Sequence, residues 1–189
     1  MIDHLYSQFH KHSNIGIACL YVDYKDQTNQ SLVHILGSLL RQFLTNTLEP
    51  ISDEVMQKLY HIRYRGGKVG TEDNIGLLKI QLQRLKCVFI CIDAIDELEP
   101  KVQRQLLDVL KELGTDNTSL FFTGRDHIEI EVKKRFHVMP KYRVVISASQ
   151  QDIQEFVVQK IKEDRNPDAM DKVLEQDIVH AIIKKSQGM

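Results

Sequence analysis

The residues best suited to chemistry follow an apolar run. Cys87–Asp93 reads CVFICID, and Asp96 and Glu97 come directly after it. Ligands of open α/β sheets bind at the carboxyl ends of strands, and a carboxylate there can hold Mg²⁺. Asp96 or Glu97 could polarise a water molecule against a terminal phosphate. Alternatively, Asp96, Glu97 and Glu99 favour the N-terminus of the next helix through its dipole.

Residues 1–146 alternate between strand-like and helical segments. The apolar runs predict strands at Ile15–Tyr24, Cys87–Asp93, Ser119–Thr123 and Tyr142–Ile146. Apolar residues three or four apart predict helices at Met1–Lys11, Thr28–Thr47, Ser52–Tyr64, Thr71–Lys86, Pro100–Leu113 and Ile128–Phe136. Ser52 is expected to cap the helix that it begins. A run without polar alternation is typical of a strand covered on both faces. The pattern predicts an α/β fold with a mainly parallel sheet flanked by helices.

The chain after residue 146 has only helical patterns. Ser149 and Asp152 form a capping-box pattern, which opens a helix to about Glu163, and a last helix is expected over Asp168–Ser186. We therefore expect an α/β core over residues 1–146 and the start of a helical subdomain over 147–189.

Composition limits the classes of partner and the compartment. The 189 residues carry 25 Lys and Arg against 26 Asp and Glu, a formal net charge of −1, which gives no electrostatic case for nucleic acid. No apolar run reaches the length of a membrane helix, and the N-terminus is polar, so we expect a cytoplasmic protein without a membrane partner. The three cysteines, Cys19, Cys87 and Cys91, lie in apolar runs, where we expect buried free thiols and no zinc site.

Several segments in order resemble one family. Val88–Leu98 (VFICIDAIDEL) resembles the Walker B motif of NACHT-type NTPases, the nephrocystin-like and fungal receptor-like branch of the STAND class. Asp3–Leu5 resembles the helix after the phosphate loop, and Tyr21–Lys25 resembles the second strand. Ser119–Arg125 resembles the sensor strand, and Ser147–Ile161 resembles the start of the helical subdomain. The resemblance implies a P-loop NTPase-like fold.

The resemblance also implies roles for particular residues, with ATP and Mg²⁺ as ligands. Asp93 would serve Mg²⁺, and Asp96 with Glu97 would handle the hydrolytic water. Arg125 would contact the terminal phosphate, with Thr123 beside it in the nucleotide site. The planar guanidinium of arginine suits this contact because it makes paired, charge-assisted hydrogen bonds.

One part of such a site is missing from the sequence. None of the nine glycines begins the pattern G-x-x-x-x-G-K-[ST] that binds phosphates. By the resemblance, that loop and the family's first strand would precede Met1, and the strand would lie between Cys87–Asp93 and Ser119–Thr123. Without it, we expect these two strands to pair directly or to leave open edges that invite self-association. We expect no competent NTPase activity from the chain alone.

Three functions remain open on the sequence. The first is a nucleotide-binding switch domain of a signalling, receptor-like protein. The second is a nucleotide-independent module that binds protein partners through exposed faces of the C-terminal helices. The third is a metal-dependent nuclease built on Asp93, Asp96 and Glu97, which the absence of a basic charge disfavours.

Overall fold

Parallel strands and helices alternate along the first part of the chain. The computed structural model describes residues 2–9, 12, 14–25, 30–46, 50–137, 142–163 and 171–186. The strands are β1 (Ile15–Tyr21), β2 (Cys87–Asp93) and β3 (Thr118–Phe122). The helices are α1 (Ile2–Phe9), α2 (Leu32–Thr45), α3 (Asp53–Tyr64), α4 (Thr71–Gln83), α5 (Pro100–Leu113), α6 (Ile128–Arg135), α7 (Gln150–Lys162) and α8 (Lys172–Ser186). The α/β fold with a parallel sheet is therefore confirmed.

The sheet has the order β1-β2-β3, and both pairings are parallel. Cys87 pairs with Ile15 at one end of β2, and Asp93 pairs with Tyr21 at the other. Val88 pairs with Thr118 and Ile92 with Phe122, so β2 and β3 are direct neighbours. Of the two expected arrangements for these strands, the structure has the one in which they close up.

The core lies between one face of the sheet and helices α2, α4 and α5. Val88, Ile90 and Ile92 point to this face and are at most 1% exposed. The helical residues packed with them are mainly leucines, among them Leu36, Leu39, Leu78, Leu106, Leu107 and Leu110. Helix α1 contacts β1, and the ring of Phe9 stacks on Phe89 of β2 at a centroid distance of 5.6 Å.

On the outer edge of β1, a side chain forms hydrogen bonds with the backbone of one residue. Gln42 of α2 accepts a hydrogen bond from the backbone N of Cys19 (2.8 Å) and donates one to the backbone O of the same residue (2.9 Å). A strand pairing here would use the same two groups of Cys19. The amide of Gln42 thus takes the place of a neighbouring strand at this residue.

Two helix N-termini form as the sequence predicts. The hydroxyl of Ser52 accepts a hydrogen bond from the backbone N of Val55 at the start of α3. Ser149 and Asp152 form the expected capping box at the start of α7. Each satisfies backbone donors that an isolated helix end leaves without partners.

The predicted strand at Tyr142–Ile146 is wrong, because no strand is present over residues 142–149. Val144 is 80% exposed and Ile146 is 90% exposed. An apolar, β-branched run favours extended backbone, but a strand also needs hydrogen bonds to a neighbour. The predicted helix ends at residues 1, 11, 28, 47 and 168 lie outside the described residues.

The chain divides into two compact units, residues 1–138 and 139–189. The first holds the sheet and helices α1 to α6. The second holds α7 and α8, which contact each other. In it, Val157 of α7 and Val179 of α8 are buried.

Candidate functional site

The site is built on the carboxyl ends of the three parallel strands. Because β2 is the central strand and its buried residues anchor it, Asp93 emerges at the middle of this sheet edge. Tyr21 ends β1 beside it, and Thr123 follows β3 on its other side. Parallel strands end on one edge of the sheet, which brings these residues together.

Thr123 fastens the end of β3 to the end of β2. Its hydroxyl donates to Oδ1 of Asp93 and accepts from the backbone N of Ala94 at 2.8 Å. Its backbone N donates to Ile92 O (2.9 Å), and its backbone O accepts from the N of Ile95 (3.0 Å). The side chain of Asp93 thus has a fixed hydroxyl partner while the residue remains exposed.

The backbone turns sharply directly after Asp93. Ala94 has φ 55° and ψ 45°, in the left-handed region that residues with a side chain rarely adopt. A 3-10 helix over Ile95–Glu97 follows and carries both further acids. The buried side chain of Gln103, on α5, donates to Ile95 O at 3.0 Å and holds this turn.

Sequence reasoning missed the role of Gln103. The signal was present, since Gln103 lies on the same helix face as Leu106, Leu107 and Leu110, which are fully buried. A polar side chain on the buried face of a helix needs a hydrogen-bond partner. The pattern does not say which backbone group is that partner.

Asp96 and Arg125 form an ion pair. Nε of Arg125 lies 3.6 Å from Oδ2 of Asp96, and the side chains are 79% and 5% exposed respectively. Gly124 makes this approach possible, because a Cβ on it would lie 3.1 Å from Oδ1 of Asp96 and 3.0 Å from Cγ2 of Ile128. Two of the predicted site residues thus meet, but the carboxylate is directed to the arginine.

The side chain of Glu97 also makes a hydrogen bond within the chain. Its Oε2 accepts a hydrogen bond of 3.1 Å from the backbone N of Tyr24, beyond the end of β1. The backbone O of Asp93 accepts another from the N of Val22 at 3.1 Å. These bonds connect the segment after β1 to the acidic turn. The structure therefore gives Glu97 a structural contact in addition to any chemical role.

A cavity of about 340 Å³ opens beside Asp93. The first turn of α1 and the ends of the strands line it, with the residues Ile2, Asp3, Tyr21, Cys91, Ile92, Asp93, Phe121 and Thr123. Asp96, Glu97 and Arg125 are not among the lining residues. Of the three predicted acids, only Asp93 thus lines this cavity.

Burial suppresses the reactivity of two thiols near the cavity. Cys19 and Cys91 are direct neighbours on β1 and β2. Burial, with the neighbouring Cys91, raises the pKa of the Cys19 thiol to about 12. Burial likewise raises the pKa of Cys91. Because of these raised pKa values, both side chains remain protonated thiols at neutral pH. A protonated thiol is a poor nucleophile and a poor metal ligand, since the thiolate is the reactive form.

The described residues contain no preformed metal cluster. No group of three or more His, Cys, Asp or Glu among them is placed to hold a metal ion. Asp93, Asp96 and Glu97, the acids of the nuclease alternative, therefore do not form such a group. A site with one carboxylate and several waters, as Mg²⁺ often uses, needs none.

No helix in the described part of the chain is long and apolar enough to cross a membrane.

Comparison with known families matches residues 1–125 to the family described as Nephrocystin 3, N-terminal. The match covers about two thirds of the 189 residues and includes the whole sheet edge, with Arg125 as its last residue. No curated protein and no solved structure matches the chain.

Proposed function

Because the chain belongs to the nephrocystin 3 N-terminal family, we propose that it forms part of a nucleotide-binding switch domain in a cytoplasmic signalling protein. In this proposal Asp93 faces the metal of a magnesium-bound nucleotide, and Arg125 senses the terminal phosphate. The finer assignment, to NACHT-type P-loop NTPases of the STAND class, rests on the resemblance of Val88–Leu98 and Ser119–Arg125 to the motifs of that class.

One observation carries the proposal. Asp93 ends β2 and Arg125 follows the end of the neighbouring parallel strand β3, and Arg125 forms an ion pair with Asp96, on the turn after Asp93. Carboxylates suit Mg²⁺ and guanidinium groups suit phosphate oxygens, so the two side chains at this edge have the chemistry that a metal-bound phosphate uses. The side chain of Arg125 is 79% exposed, and its ion pair within the described part of the chain is the 3.6 Å contact with Asp96, which a phosphate oxygen can replace.

The residues present fit a magnesium ion at Asp93. Its carboxylate is exposed, borders the cavity and has Thr123 as a hydroxyl partner. Asp96 does not fit as a direct ligand, because only 5% of its side chain is exposed and it already faces Arg125. Bound Mg²⁺ would neutralise phosphate charge, and Asp93 would be its protein ligand among waters.

The residues present do not suffice to retain the phosphate chain. A phosphate nest needs consecutive backbone N–H groups and a lysine, and the 189 residues contain no G-x-x-x-x-G-K-[ST] sequence. We therefore expect weak or absent ATP binding, and no ATP hydrolysis at an ordinary rate, from these residues alone.

Titration calorimetry with ATP and Mg²⁺ tests the proposal. The 189-residue chain is compared with the same chain carrying a strand and a G-x-x-x-x-G-K-T loop fused before Met1. We expect binding only in the fused form, and a loss of at least about tenfold on Asp93→Asn, because a metal ligand is removed. Asp116→Asn, an exposed acid before β3, is the matched control.

Two results would contradict this account. Equal affinity of the fused form before and after Asp93→Asn would remove Asp93 from the site. Ordinary ATP hydrolysis by the 189-residue chain, abolished by Asp93→Asn, would show that the phosphate loop is not required.

A second candidate is a nucleotide-independent interaction module. The contacts of Asp96 with Arg125 and of Glu97 with Tyr24 favour it, because they give both acids a structural purpose. It predicts no heat of ATP binding in either form of the chain.

A further inference from the structure

A second exposed feature lies on α3, away from the sheet edge. Residues 56–68 contain four basic residues, Lys58, Arg63, Arg65 and Lys68, and no acid, although the whole chain has a net charge of −1. The same segment carries Met56, Tyr60 and Tyr64 at a spacing of four. Residues four apart in a helix lie on one face, so the three form a continuous stripe.

The stripe faces solvent. Met56, Tyr60 and Tyr64 are 52%, 65% and 78% exposed. The rings of Tyr60 and Tyr64 stack with centroids 6.0 Å apart and planes at 20°. The core contact of α3 is made on another face, where Val55 is fully buried and Leu59 is partly buried. The stripe thus has no part in holding the helix on the domain.

Basic residues stand in the last turn of α3, at its C-terminal cap and in the loop that follows. Lys58 is paired with Glu54 at 3.6 Å, but Arg63, Arg65 and Lys68 make no ion pair with a carboxylate of the described residues. The next acids along the chain, Glu72 and Asp73, begin α4, where Asp73 accepts a hydrogen bond from the backbone N of Gly70.

The backbone carrying the last basic residues is fixed. The N of Gly66 donates to Arg63 O (2.9 Å), and the N of Gly67 donates to Ile62 O (3.0 Å), while Gly66 adopts φ 67°. These bonds end α3 and direct the chain into the loop with Lys68. An ordered backbone lowers part of the entropic cost of binding.

We propose that the stripe of Met56, Tyr60 and Tyr64, together with the basic residues Arg63, Arg65 and Lys68, docks an acidic amphipathic helix of a partner protein. The apolar part extends over about 12 Å, or two helical turns, which matches the contact length of two packed helices. Stacked tyrosines supply rigid contact area, and aromatic residues with arginine are enriched at protein interfaces. The three basic residues attract acids that flank the apolar face of the partner helix.

The charge and size of this surface favour a protein partner over nucleic acid or an anionic membrane. Nucleic acid affinity comes from many phosphate contacts on a basic protein, and this chain has three such residues here and an excess of acids overall. Surface helices that lie in a membrane present a wide apolar face, whereas this stripe has three residues.

Fluorescence anisotropy with a labelled 20-residue helical peptide tests the proposal. The probe carries leucine at positions i, i+3, i+4 and i+7 and glutamate on both sides. We expect saturable binding that weakens with added salt. We expect a loss of about tenfold or more for Tyr60→Ser with Tyr64→Ser, because interface tyrosines are frequent hot spots, and for Arg63→Glu with Arg65→Glu.

Matched changes away from the stripe control for general effects on charge and exposed apolar area. Lys101→Glu with Arg104→Glu reverses two exposed charges on α5, and Ile130→Ser removes an apolar side chain that is 63% exposed. Both should leave the affinity within about twofold, as expected for sites outside an interface.

The proposal is overturned if the acidic helix does not bind, or if the stripe variants bind as tightly as the parent chain. It is also overturned if a single-stranded oligonucleotide or a phosphatidylserine vesicle binds more tightly at this stripe than the acidic helix. Because neither ATP nor Asp93 enters the measurement, the result is independent of the nucleotide proposal.

Discussion

The carboxylate of Asp96, 5% exposed, lies 3.6 Å from the guanidinium of Arg125, which is 79% exposed. The acid comes from the turn after β2 and the base from the segment after β3. A charge removed from water needs a partner, whereas an exposed arginine keeps its hydration. Loss of the ion pair is therefore expected to cost more free energy at Asp96 than at Arg125.

Replacing Arg125 should show how much the stability of the fold depends on this ion pair. We expect Arg125→Gln to lower the free energy of unfolding by about 1 kcal/mol, because the nearly buried carboxylate loses its counter-charge while the exposed arginine loses little itself. Urea unfolding followed by circular dichroism measures this. Arg104→Gln, at an exposed position of α5, should change stability by less than about 0.5 kcal/mol.

The double change separates pairing from other effects. If the pair acts as described, Asp96→Asn with Arg125→Gln costs less than the two single changes added together, since the neutral amide needs no cation. Strictly additive costs would show that the two side chains do not interact in solution.

Alanine substitutions at two glycines should change the free energy of unfolding in opposite directions. A Cβ at Gly124 would lie 3.1 Å from Asp96 Oδ1 and 3.0 Å from Ile128, so Gly124→Ala should destabilise by about 1–3 kcal/mol through overpacking. At Gly76, inside α4, nothing apart from the adjoining residues and the helix's own backbone lies within 4 Å of such a Cβ, so Gly76→Ala should stabilise by about 0.5–1 kcal/mol. Thermal unfolding of both variants checks the signs, and a neutral Gly124→Ala would mean that the turn is not tightly packed.

The contact between α5 and α6 should weaken in acid. Hydrogen bonds from Arg135 hold the pKa of Asp108 below its usual range, and those from Lys134 and Arg135 do the same for Glu131. Lowered folded pKa values stabilise the protein above the unfolded values of about 3.9 and 4.3, and this stability is lost as the pH falls through the folded values. Arg135→Met should therefore destabilise at pH 7, with a difference from the parent chain that shrinks below about pH 4.

Urea unfolding at several pH values between about 3 and 7 measures that difference. Lys101→Met, an exposed change on α5, provides the comparison and should show no such convergence. If the difference for Arg135→Met is constant over the whole pH range, the ionisation of Asp108 and Glu131 does not contribute to it.

Cys19 should resist alkylation in the folded chain. Its pKa of about 12 keeps the thiol protonated, while an unfolded cysteine ionises near pH 8.5. Iodoacetamide at pH 8 followed by peptide mass spectrometry should modify Cys19 slowly in buffer and rapidly in urea. Since the raised pKa favours the protonated folded state, stability should also fall as the pH rises above about 9. Equal rates in buffer and urea would contradict the burial of this thiol.

The sequence predicted the elements of the sheet edge well where local signals agree. Cys87–Asp93 and Pro100–Leu113 have the predicted bounds, because a continuous apolar run and a proline-started amphipathic pattern are both strong signals. The cap at Ser52 followed from its own residue type.

Contacts between distant segments were beyond local patterns. The sequence does not indicate that Glu97 accepts from the backbone of Tyr24, or that Gln103 holds Ile95. The strand expected at Tyr142–Ile146 is absent for the same reason, because strand formation depends on a neighbour. Whether Asp93, Asp96, Glu97, Thr123 and Arg125 serve a nucleotide stays a prediction.

The amide of Gln42 makes the two borders of the sheet unequal. By occupying both backbone groups of Cys19, it blocks a foreign strand from extending the sheet past β1 in register. Any association by strand addition is therefore directed to the border formed by β3, and growth can proceed from one side only. Such one-sided growth disfavours the open-ended stacking of chains that leads to fibres, because continued stacking needs two receptive borders on every copy.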